Sequence, residues 1–166
     1  EIPADVADGY AAADAAILSN VRAAMGGRVR YFISGSAQLS PDISAFFAAA
    51  GMPVLEGYGL TETASIGAIS RPATLKAGTV GQVLPGSEMK IAEDGELLMR
   101  GPSVMRGYLH LPEETAEVLE PDGWFHTGDI GTLDADGFLS ITGRKKEIIV
   151  TNGGKNVAPA PLEDII

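Results

Sequence analysis

The stretch that decides the fold is VRYFISGSAQLSPDISAFFAAAGMPVLEGYGLTE, residues 29–62. Residues 29–33 are rich in aromatic and β-branched side chains and predict a strand, and a second short strand is predicted over residues 53–56. Between them, Ser40 followed by Pro41 is typical of the beginning of a helix. A strand, a helix and a strand in this order predict a right-handed βαβ unit with parallel strands.

Loops of small and polar residues follow both predicted strands, SGSA at 34–37 and EGYGLTE at 56–62. In open α/β sheets ligands bind outside the carboxyl ends of parallel strands, so both loops are expected at one ligand site. Glycines allow close backbone approach, Tyr58 offers a flat face, and Glu62 offers a hard oxygen ligand suited to Mg²⁺. A glycine-rich turn capped by a threonine hydroxyl, from Thr61 or Thr63, would also explain the second loop.

Two helices with apolar faces accompany these strands. One is predicted over residues 12–26, ending at Gly26-Gly27, and the other begins after Ser40 and ends at Gly51. The expected apolar faces contain Ile17, Leu18, Val21 and Met25 in the first helix, and Ile43, Phe46, Phe47 and Ala50 in the second.

After about residue 70, short apolar runs separated by Asp-Gly and Pro-Gly indicate antiparallel hairpins. The predicted hairpins pair residues 88–91 with 96–100 and residues 130–133 with 138–141. Together they indicate a small β-barrel or sandwich, with a short helix beginning at Pro112. A basic connector at 143–146 and a strand at 147–150 complete the predicted elements.

Composition excludes several classes of function. The 166 residues contain 22 Asp and Glu against 12 Lys and Arg, a net charge of -10, which argues against a nucleic-acid partner. The absence of cysteine excludes disulfides, thiolate nucleophiles and Cys-ligated zinc. His110 and His126 have no metal-ligand spacing, and the longest nearly apolar run, 45–55, is too short and broken to cross a bilayer.

The segment WFHTGD, residues 124–129, places a carboxylate behind a Thr-Gly turn. In that position Asp129 could accept both hydroxyls of a ribose through charge-assisted hydrogen bonds. Alternatively, Trp124 and Phe125 belong to the core, His126 is a hydrogen-bonded polar side chain, and Asp129 caps a turn.

Three other patterns are weaker. NGGKN at 152–156 lacks the first glycine and the hydroxyl residue of a P-loop, and the spacing of DADG at 134–137 fits a hairpin turn better than a calcium loop. Met89-Lys90-Ile91 is similar to the modified lysine of swinging-arm carrier domains. Mass spectrometry of Lys90 would test this carrier alternative.

Five motifs in order resemble the AMP-forming, acyl-activating synthetase superfamily, and long-chain fatty acyl-CoA synthetases in particular. They are SGSAQLS (34–40), EGYGLTET (56–63), GELLMRGPSVMRGYL (95–109), GWFHTGDIG (123–131) and ITGRKKEIIVTNGGKNVAP (141–159). The resemblance implies an enzyme that forms an acyl-adenylate from ATP and a fatty acid and then a thioester with coenzyme A. It also implies a fold with an α/β layered subdomain, a small antiparallel β-barrel, a hinge and an α+β C-terminal domain.

The same resemblance assigns roles to individual residues. The adenine site would comprise Gly35, Ser36, Ala37, Glu56, Gly57, Tyr58 and Gly59, with Tyr58 stacking on the base. Thr61 would contact the phosphates, Glu62 would bind Mg²⁺, and Asp129 and Arg144 would bind the ribose. Lys146 would be the hinge, so that Thr61, Glu62 and Lys146 are the expected catalytic residues, while Gly153 and Gly154 would line the coenzyme A tunnel.

The upstream phosphate loop and the C-terminal catalytic lysine of that family are not found in this sequence. We therefore expect a fragment that is inactive alone. Its predicted parts are the end of the α/β nucleotide-binding subdomain (1–69), the barrel (70–142), the hinge (143–148) and a truncated start of the C-terminal domain (149–166).

Alternatives within the family are disfavoured at two positions. Fatty acyl-AMP ligases typically carry Ala in place of Thr61, and amino-acid adenylation domains usually carry Asp in place of Lys146. A non-catalytic nucleotide-binding module is the alternative from another class. We expect small-molecule substrates (a fatty acid, ATP and coenzyme A) and a cytoplasmic location that allows peripheral membrane contact. Acyl-chain length is not encoded in these residues.

Overall fold

The computed structural model describes residues 3–37 and 39–147, and the backbone of 149–150 and 156–157. The helices are Ala4–Ala13 (α1), Ser19–Ala24 (α2), Pro41–Ala49 (α3) and Pro112–Val118 (α4), and a π-helical turn, Asp14–Leu18, joins α1 to α2. The strands are Phe32–Gly35 (β1), Val54–Tyr58 (β2), Ala68–Ile69 (β3), Gln82–Val83 (β4), Glu88–Ile91 (β5), Glu96–Arg100 (β6), Phe125–Leu133 (β7), Leu139–Arg144 (β8), Ile149–Val150 (β9) and Asn156–Val157 (β10).

The first sheet confirms the predicted βαβ unit. Strands β1 and β2 are parallel, with α3 between them in the chain, and β3 and β4 extend the sheet on the β2 side in antiparallel pairs. Two boundaries differ from the prediction, because β1 begins at Phe32 and β2 continues to Tyr58. Backbone pairing between the strands continues to Gly35 opposite Gly57, so both predicted loops begin later than expected.

The first helical region is longer than predicted, since it begins at Ala4, and its buried face is narrower. Leu18 is buried and Val21 packs against the same cluster, whereas Ile17 and Met25 are exposed. Ile17 lies within the π-helical turn, where an inserted residue rotates side chains relative to a regular helix, and Met25 lies beyond Ala24, the last residue of α2. In α3, likewise, Ile43 and Phe46 are exposed, and burial is concentrated on Phe47 and on Ala50 just after the helix.

The second sheet is a curled antiparallel half-barrel with the order β5-β6-β7-β8. Both predicted hairpins are confirmed, and β7 begins earlier than expected, at Phe125. Its core contains Leu97, Met99 and Leu139, which pack with Ala68 of the first sheet. This shared cluster fixes the two sheets against each other.

Smaller elements also agree with the sequence. The Asp134 carboxylate accepts the N–H groups of Asp136 and Phe138, so the DADG segment is a hairpin turn as predicted. The predicted strand at 147–150 is shorter, because Lys145–Glu147 forms a 3₁₀ turn before β9. Within the described part of the chain, each helix is too short or too polar to cross a membrane.

Candidate functional site

An open cleft of about 1230 Å³ lies between the carboxyl ends of β1 and β2 and the strands β7 and β8. Most of the residues that the sequence singles out line it, namely Ser36, Ala37, Glu56, Gly57, Tyr58, Gly59, Thr61, Glu62, Asp129, Arg144 and Lys146. Gly35 does not line the cleft, and Gly153 and Gly154 lie outside the described residues. The βαβ topology therefore brings the two predicted loops together, and the packing of the two sheets adds the Thr-Gly-Asp segment, although the individual roles of these residues stay predictions.

Tyr58, Asp129 and Arg144 converge in this cleft from three separate strands. The Tyr58 hydroxyl donates a hydrogen bond to Asp129 Oδ2 at 2.6 Å, and Arg144 Nε lies 3.3 Å from Asp129 Oδ1. Asp129 and Arg144 are also paired across β7 and β8. Burial, followed by the hydrogen bond to Asp129, raises the pKa of Tyr58 well above its ordinary value, so the phenol remains a donor at neutral pH.

The turn before Asp129 fixes its backbone. Thr127 Oγ1 donates to the Leu97 carbonyl at 2.7 Å and accepts the Asp129 N–H at 3.1 Å. Gly128 has a φ of 72°, a left-handed conformation that favours glycine, and a register shift in the β7–β8 pair follows directly. The Thr-Gly sequence is therefore needed locally to present the carboxylate.

Gly57 in β2 and Gly59 just after it differ in how much space a side chain would have. A Cβ on Gly59 would lie 2.0 Å from the Ser65 carbonyl oxygen, so the local loop itself excludes a side chain there. A Cβ on Gly57 would lie 3.7 Å from the Ala68 carbonyl oxygen, which is an ordinary contact. Local sterics therefore explain the glycine at position 59 but not the glycine at position 57.

Ser36 and Ala37 follow β1 directly, and Ser36 adopts a left-handed φ of 71°. A Cβ on Gly35 would lie 3.1 Å from the carbonyl oxygen of Gly57, so this glycine serves strand packing. Glu56 faces the cleft from β2, and burial raises its pKa, with the backbone N–H of Leu39 acting in the opposite direction.

A 3₁₀ turn, Thr61–Thr63, assigns different roles to its two threonines. Thr63 is fully buried, and its Oγ1 accepts the Leu60 N–H at 3.0 Å and donates to the Leu60 carbonyl at 3.2 Å. Of the two capping candidates, Thr63 is therefore the cap. Thr61 is exposed and lines the cleft, where its hydroxyl is accessible to a ligand.

Glu62 is held by a loop that the sequence reasoning missed. The Tyr108 hydroxyl donates to Glu62 Oε1 at 2.9 Å, and the Met105 N–H donates to the Glu62 carbonyl at 2.8 Å. Burial, followed by the hydrogen bond to Glu62, raises the pKa of Tyr108. No local pattern in the segment SVMRGYL indicates that Tyr108 contacts Glu62, which lies 46 residues earlier in the chain.

The donor set limits what kind of metal site is possible. Among the described residues, no group of three or more His, Asp or Glu side chains could hold a metal ion. One carboxylate such as Glu62, combined with phosphate oxygens and water, fits the chemistry of Mg²⁺. In the described residues, a Mg²⁺ ion at Glu62 would therefore need oxygens from a ligand or water to complete its coordination.

Glu96 is a second residue that the sequence reasoning missed. Its side chain is only 5% exposed, and it accepts the Gly128 N–H at 2.9 Å, His126 Nδ1 at 3.0 Å and Lys145 Nζ at 2.8 Å. Burial alone would raise its pKa, but the hydrogen bonds from Lys145, His126 and Gly128 hold the pKa below its ordinary value. Glu96 is therefore a buried, ionised carboxylate in the wall of the cleft.

His126 bridges two carboxylates, since its Nε2 lies 2.8 Å from Glu120 Oε1 and its Nδ1 contacts Glu96. Hydrogen bonding to Glu96, and then to Glu120, raises its pKa, although burial opposes this. Trp124 and Phe125 are buried, as the alternative for this segment expected. Core positions and cleft positions thus lie side by side in one stretch of six residues.

Lys90 lies in the interior of β5, and not at the tip of a hairpin. Its Nζ is 4.1 Å from the centre of the Trp124 ring, a cation–π arrangement. This contact gives Lys90 a packing role on the second sheet.

Comparison with known proteins identifies the family to which the chain belongs. The family model described as AMP-binding enzyme matches residues 6–109. The long-chain-fatty-acid–CoA ligase FadD15 of Mycobacterium bovis is 53% identical over 155 residues, which cover 93% of this chain and 26% of that protein. The long-chain-fatty-acid–CoA ligase ACSBG1 of Homo sapiens is 38% identical over 160 residues, with coverages of 93% and 22%.

Comparison with solved structures also finds a coenzyme A synthetase with a similar fold. The o-succinylbenzoate coenzyme A synthetase MenE from Bacillus subtilis, solved in complex with its acyl-adenylate intermediate, has a TM-score of 0.75 and 31% sequence identity. That similarity covers 82% of this chain and 30% of the MenE chain. The chain spans about a quarter of the length of the curated relatives it matches, 26% of FadD15 and 22% of ACSBG1.

Proposed function

Because the chain belongs to the AMP-binding enzymes, we propose that it forms part of a longer enzyme that activates a long-chain fatty acid. That enzyme would join the fatty acid to AMP from ATP, release pyrophosphate, and then transfer the acyl group to the thiol of coenzyme A. The names of the similar proteins FadD15 and ACSBG1 support this substrate class. The 166 residues would contribute part of the nucleotide site and would be inactive alone.

The observation that carries the proposal is the convergence of Tyr58, Asp129 and Arg144. A carboxylate has about four lone-pair positions. Tyr58 contacts only Oδ2 of Asp129, and Arg144 contacts only Oδ1. Each oxygen therefore retains a lone pair that could accept a hydroxyl of a ribose. The aromatic ring beside it offers a stacking face for adenine, with Glu56 and Gly57 alongside in β2.

The polyphosphate and its metal would lie at the 3₁₀ turn. Thr61 lines the cleft, and its hydroxyl would donate a hydrogen bond to a phosphate oxygen. The Glu62 carboxylate would ligate Mg²⁺. Magnesium supplies charge neutralisation on the phosphates when it is bound. The hydrogen bond from Tyr108 would keep the Glu62 carboxylate aimed at this position.

The remaining assignments concern domain movement and coenzyme A. Lys146, which lines the cleft just after Arg144, would be the hinge for a C-terminal domain, and Gly153 and Gly154 would line the coenzyme A tunnel. The chain would then divide into an α/β part (1–69), a barrel part (70–142), the hinge (143–148) and the start of the C-terminal domain (149–166).

Exchange of labelled pyrophosphate into ATP tests the proposal in the full-length protein that contains this chain. We expect exchange with long-chain fatty acids but not with aromatic or amino acids, and a thioester only when coenzyme A is added. Asp129→Ala should raise the KM for ATP strongly, whereas Asp136→Ala, which changes an exposed hairpin residue, should not.

Three results would revise the proposal. Exchange without thioester would indicate an acyl-AMP ligase, and no exchange with any acid would indicate a non-catalytic nucleotide-binding protein. A folded Asp129→Ala protein with full ATP affinity would overturn the ribose assignment.

A further inference from the structure

Glu96 connects two segments that line the nucleotide cleft. We propose that Glu96 is a positioning residue that fixes the Thr-Gly-Asp turn and the basic connector relative to each other, and thereby sets the affinity for the nucleotide. This inference rests on the proposed function, because it concerns the same cleft.

The first connection runs to the turn that carries Asp129. Glu96 Oε1 accepts the Gly128 N–H at 2.9 Å, and Oε2 lies 3.0 Å from His126 Nδ1. Both donors belong to the four residues that end at Asp129. The left-handed backbone at Gly128 directs its N–H at a side chain of the neighbouring strand, where Glu96 replaces an ordinary strand-to-strand bond. A change at Glu96 would therefore release the backbone directly before Asp129.

The second connection runs to the connector after β8. Lys145 Nζ lies 2.8 Å from Glu96 Oε2 and 2.7 Å from Asp94 Oδ2. Lys145 itself lines the cleft, together with Lys146 and with Arg144, which contacts Asp129. Held at Lys145, the connector cannot move away from β6 without breaking an ion pair.

A role in packing alone does not account for a charge at this position. Burial of an ionised carboxylate is costly, and apolar residues of similar volume often replace buried ion pairs without loss of stability. The neighbouring positions Leu97, Leu98 and Met99 show that the interior of β6 is otherwise apolar. The donors to Glu96 come instead from the turn and the connector that line the cleft. What the carboxylate adds, beyond filling space, is a fixed geometry between these two segments.

The test uses the full-length protein and the Glu96→Gln variant. Glutamine has nearly the same shape and keeps an oxygen acceptor for the Gly128 N–H, but it has no charge for Lys145 or His126. The matched control is Glu88→Gln, because Glu88 is a carboxylate of the adjacent strand whose partner, Arg100, lies outside the cleft. Lys145→Met removes the ammonium group that pairs with Glu96 from the connector after β8.

AMP binding by titration calorimetry is the first measurement, and the KM and kcat for ATP in pyrophosphate exchange are the second. We expect Glu96→Gln and Lys145→Met each to weaken AMP binding about tenfold, the value for one charge-assisted hydrogen bond. The KM should rise more than kcat falls. The double variant should be no worse than either single variant, since both changes break the same link.

Several results would overturn the inference. AMP affinity of Glu96→Gln equal to that of Glu88→Gln would do so, and so would fully additive losses in the double variant. If Glu96→Gln does not fold, Lys145→Met alone decides, because the Lys145 side chain is 46% exposed and the Glu96 carboxylate keeps Gly128 and His126 as partners.

The proposed function can fail separately. A wild-type protein that binds AMP but shows no exchange with any acid would overturn the enzyme activity, while AMP binding by the variants would still decide the role of Glu96. A wild-type protein that binds no AMP would overturn both proposals.

Discussion

The two sheets that border the cleft differ in how completely their strands are buried. In β6, an interior strand of the second sheet, Leu97, Leu98 and Met99 are all buried. In β1, at the end of the first sheet in the described residues, Ile33 is 68% exposed. The interior strand β6 is therefore more completely buried than the edge strand β1.

The polar groups of the cleft follow the same division. On the second sheet, Asp129 and Glu96 are buried. Glu96 contacts Gly128, His126 and Lys145, and the Asp129 carboxylate accepts one hydrogen bond from Tyr58 and pairs with Arg144. On the first sheet, Thr61 is exposed on a short 3₁₀ turn. These carboxylates of the second sheet are therefore held in place by the protein, whereas the Thr61 side chain is exposed in the cleft.

The largest expected effect tests the difference in burial. Leu97→Ala should lower the free energy of unfolding by about 2–5 kcal/mol, because it leaves a cavity in a fully buried position. Ile33→Ala should change it by less than about 0.5 kcal/mol, as surface substitutions usually do. Urea unfolding of the full-length variants would measure both. Equal losses would show that Ile33 is covered in the full-length protein, and that the contrast belongs to this chain alone.

A second prediction separates the two glycines of β2 and its loop. Gly59→Ala should cost about 1–3 kcal/mol of stability, because its Cβ would overlap the Ser65 carbonyl. Gly57→Ala should cost less than about 1 kcal/mol, since the space around it is ordinary. If the ligand approaches this backbone, Gly57→Ala should nevertheless weaken AMP binding, which calorimetry would detect.

The converse pattern would be equally informative. A stable Gly59→Ala protein would mean that the loop from Gly59 to Ser65 can shift. Unchanged AMP binding in Gly57→Ala would place the nucleotide farther from β2 than proposed.

The sequence was sufficient to predict features that depend on neighbouring residues. The βαβ unit, the two hairpins and the start of α4 follow from local patterns and were confirmed. The apolar faces were partly wrong. Ile17 lies in a π-helical turn, and Met25 follows the end of α2. In the regular helix α3, Ile43 and Phe46 are exposed, so local patterns predict an element better than they predict which of its side chains are buried.

Prediction of the site residues from the sequence depends on whether they lie in a recognisable motif. Tyr58, Glu62 and Asp129 could be proposed because they lie in recognisable motifs. Glu96 could not, because its partners Gly128 and Lys145 are 32 and 49 residues away in the chain. A carboxylate after an Asp-Gly turn is expected to be solvated, and only the fold shows that this one is buried.

The smallest expected effect concerns pH and the hydrogen-bond network of the second sheet. The pKa of His126 is raised above its ordinary value of 6.5 by Glu96 and then by Glu120. A raised pKa in the folded state means that the stabilisation is fully present below pH 6.5 and is lost as the pH rises through the folded value. The pKa of Glu96 is lowered, so Glu96 is ionised throughout this range.

Wild type should therefore exceed His126→Gln in stability more at pH 5.5 than at pH 8.5, by less than about 1 kcal/mol for this partly exposed pair. Urea unfolding at the two pH values would measure the difference. Glu120→Gln should reduce the pH dependence without removing it, because Glu96 still contacts the other ring nitrogen. An equal stability difference at both pH values would mean that His126 is held by shape alone, and the second sheet would then owe its rigidity to its apolar core and not to its charges.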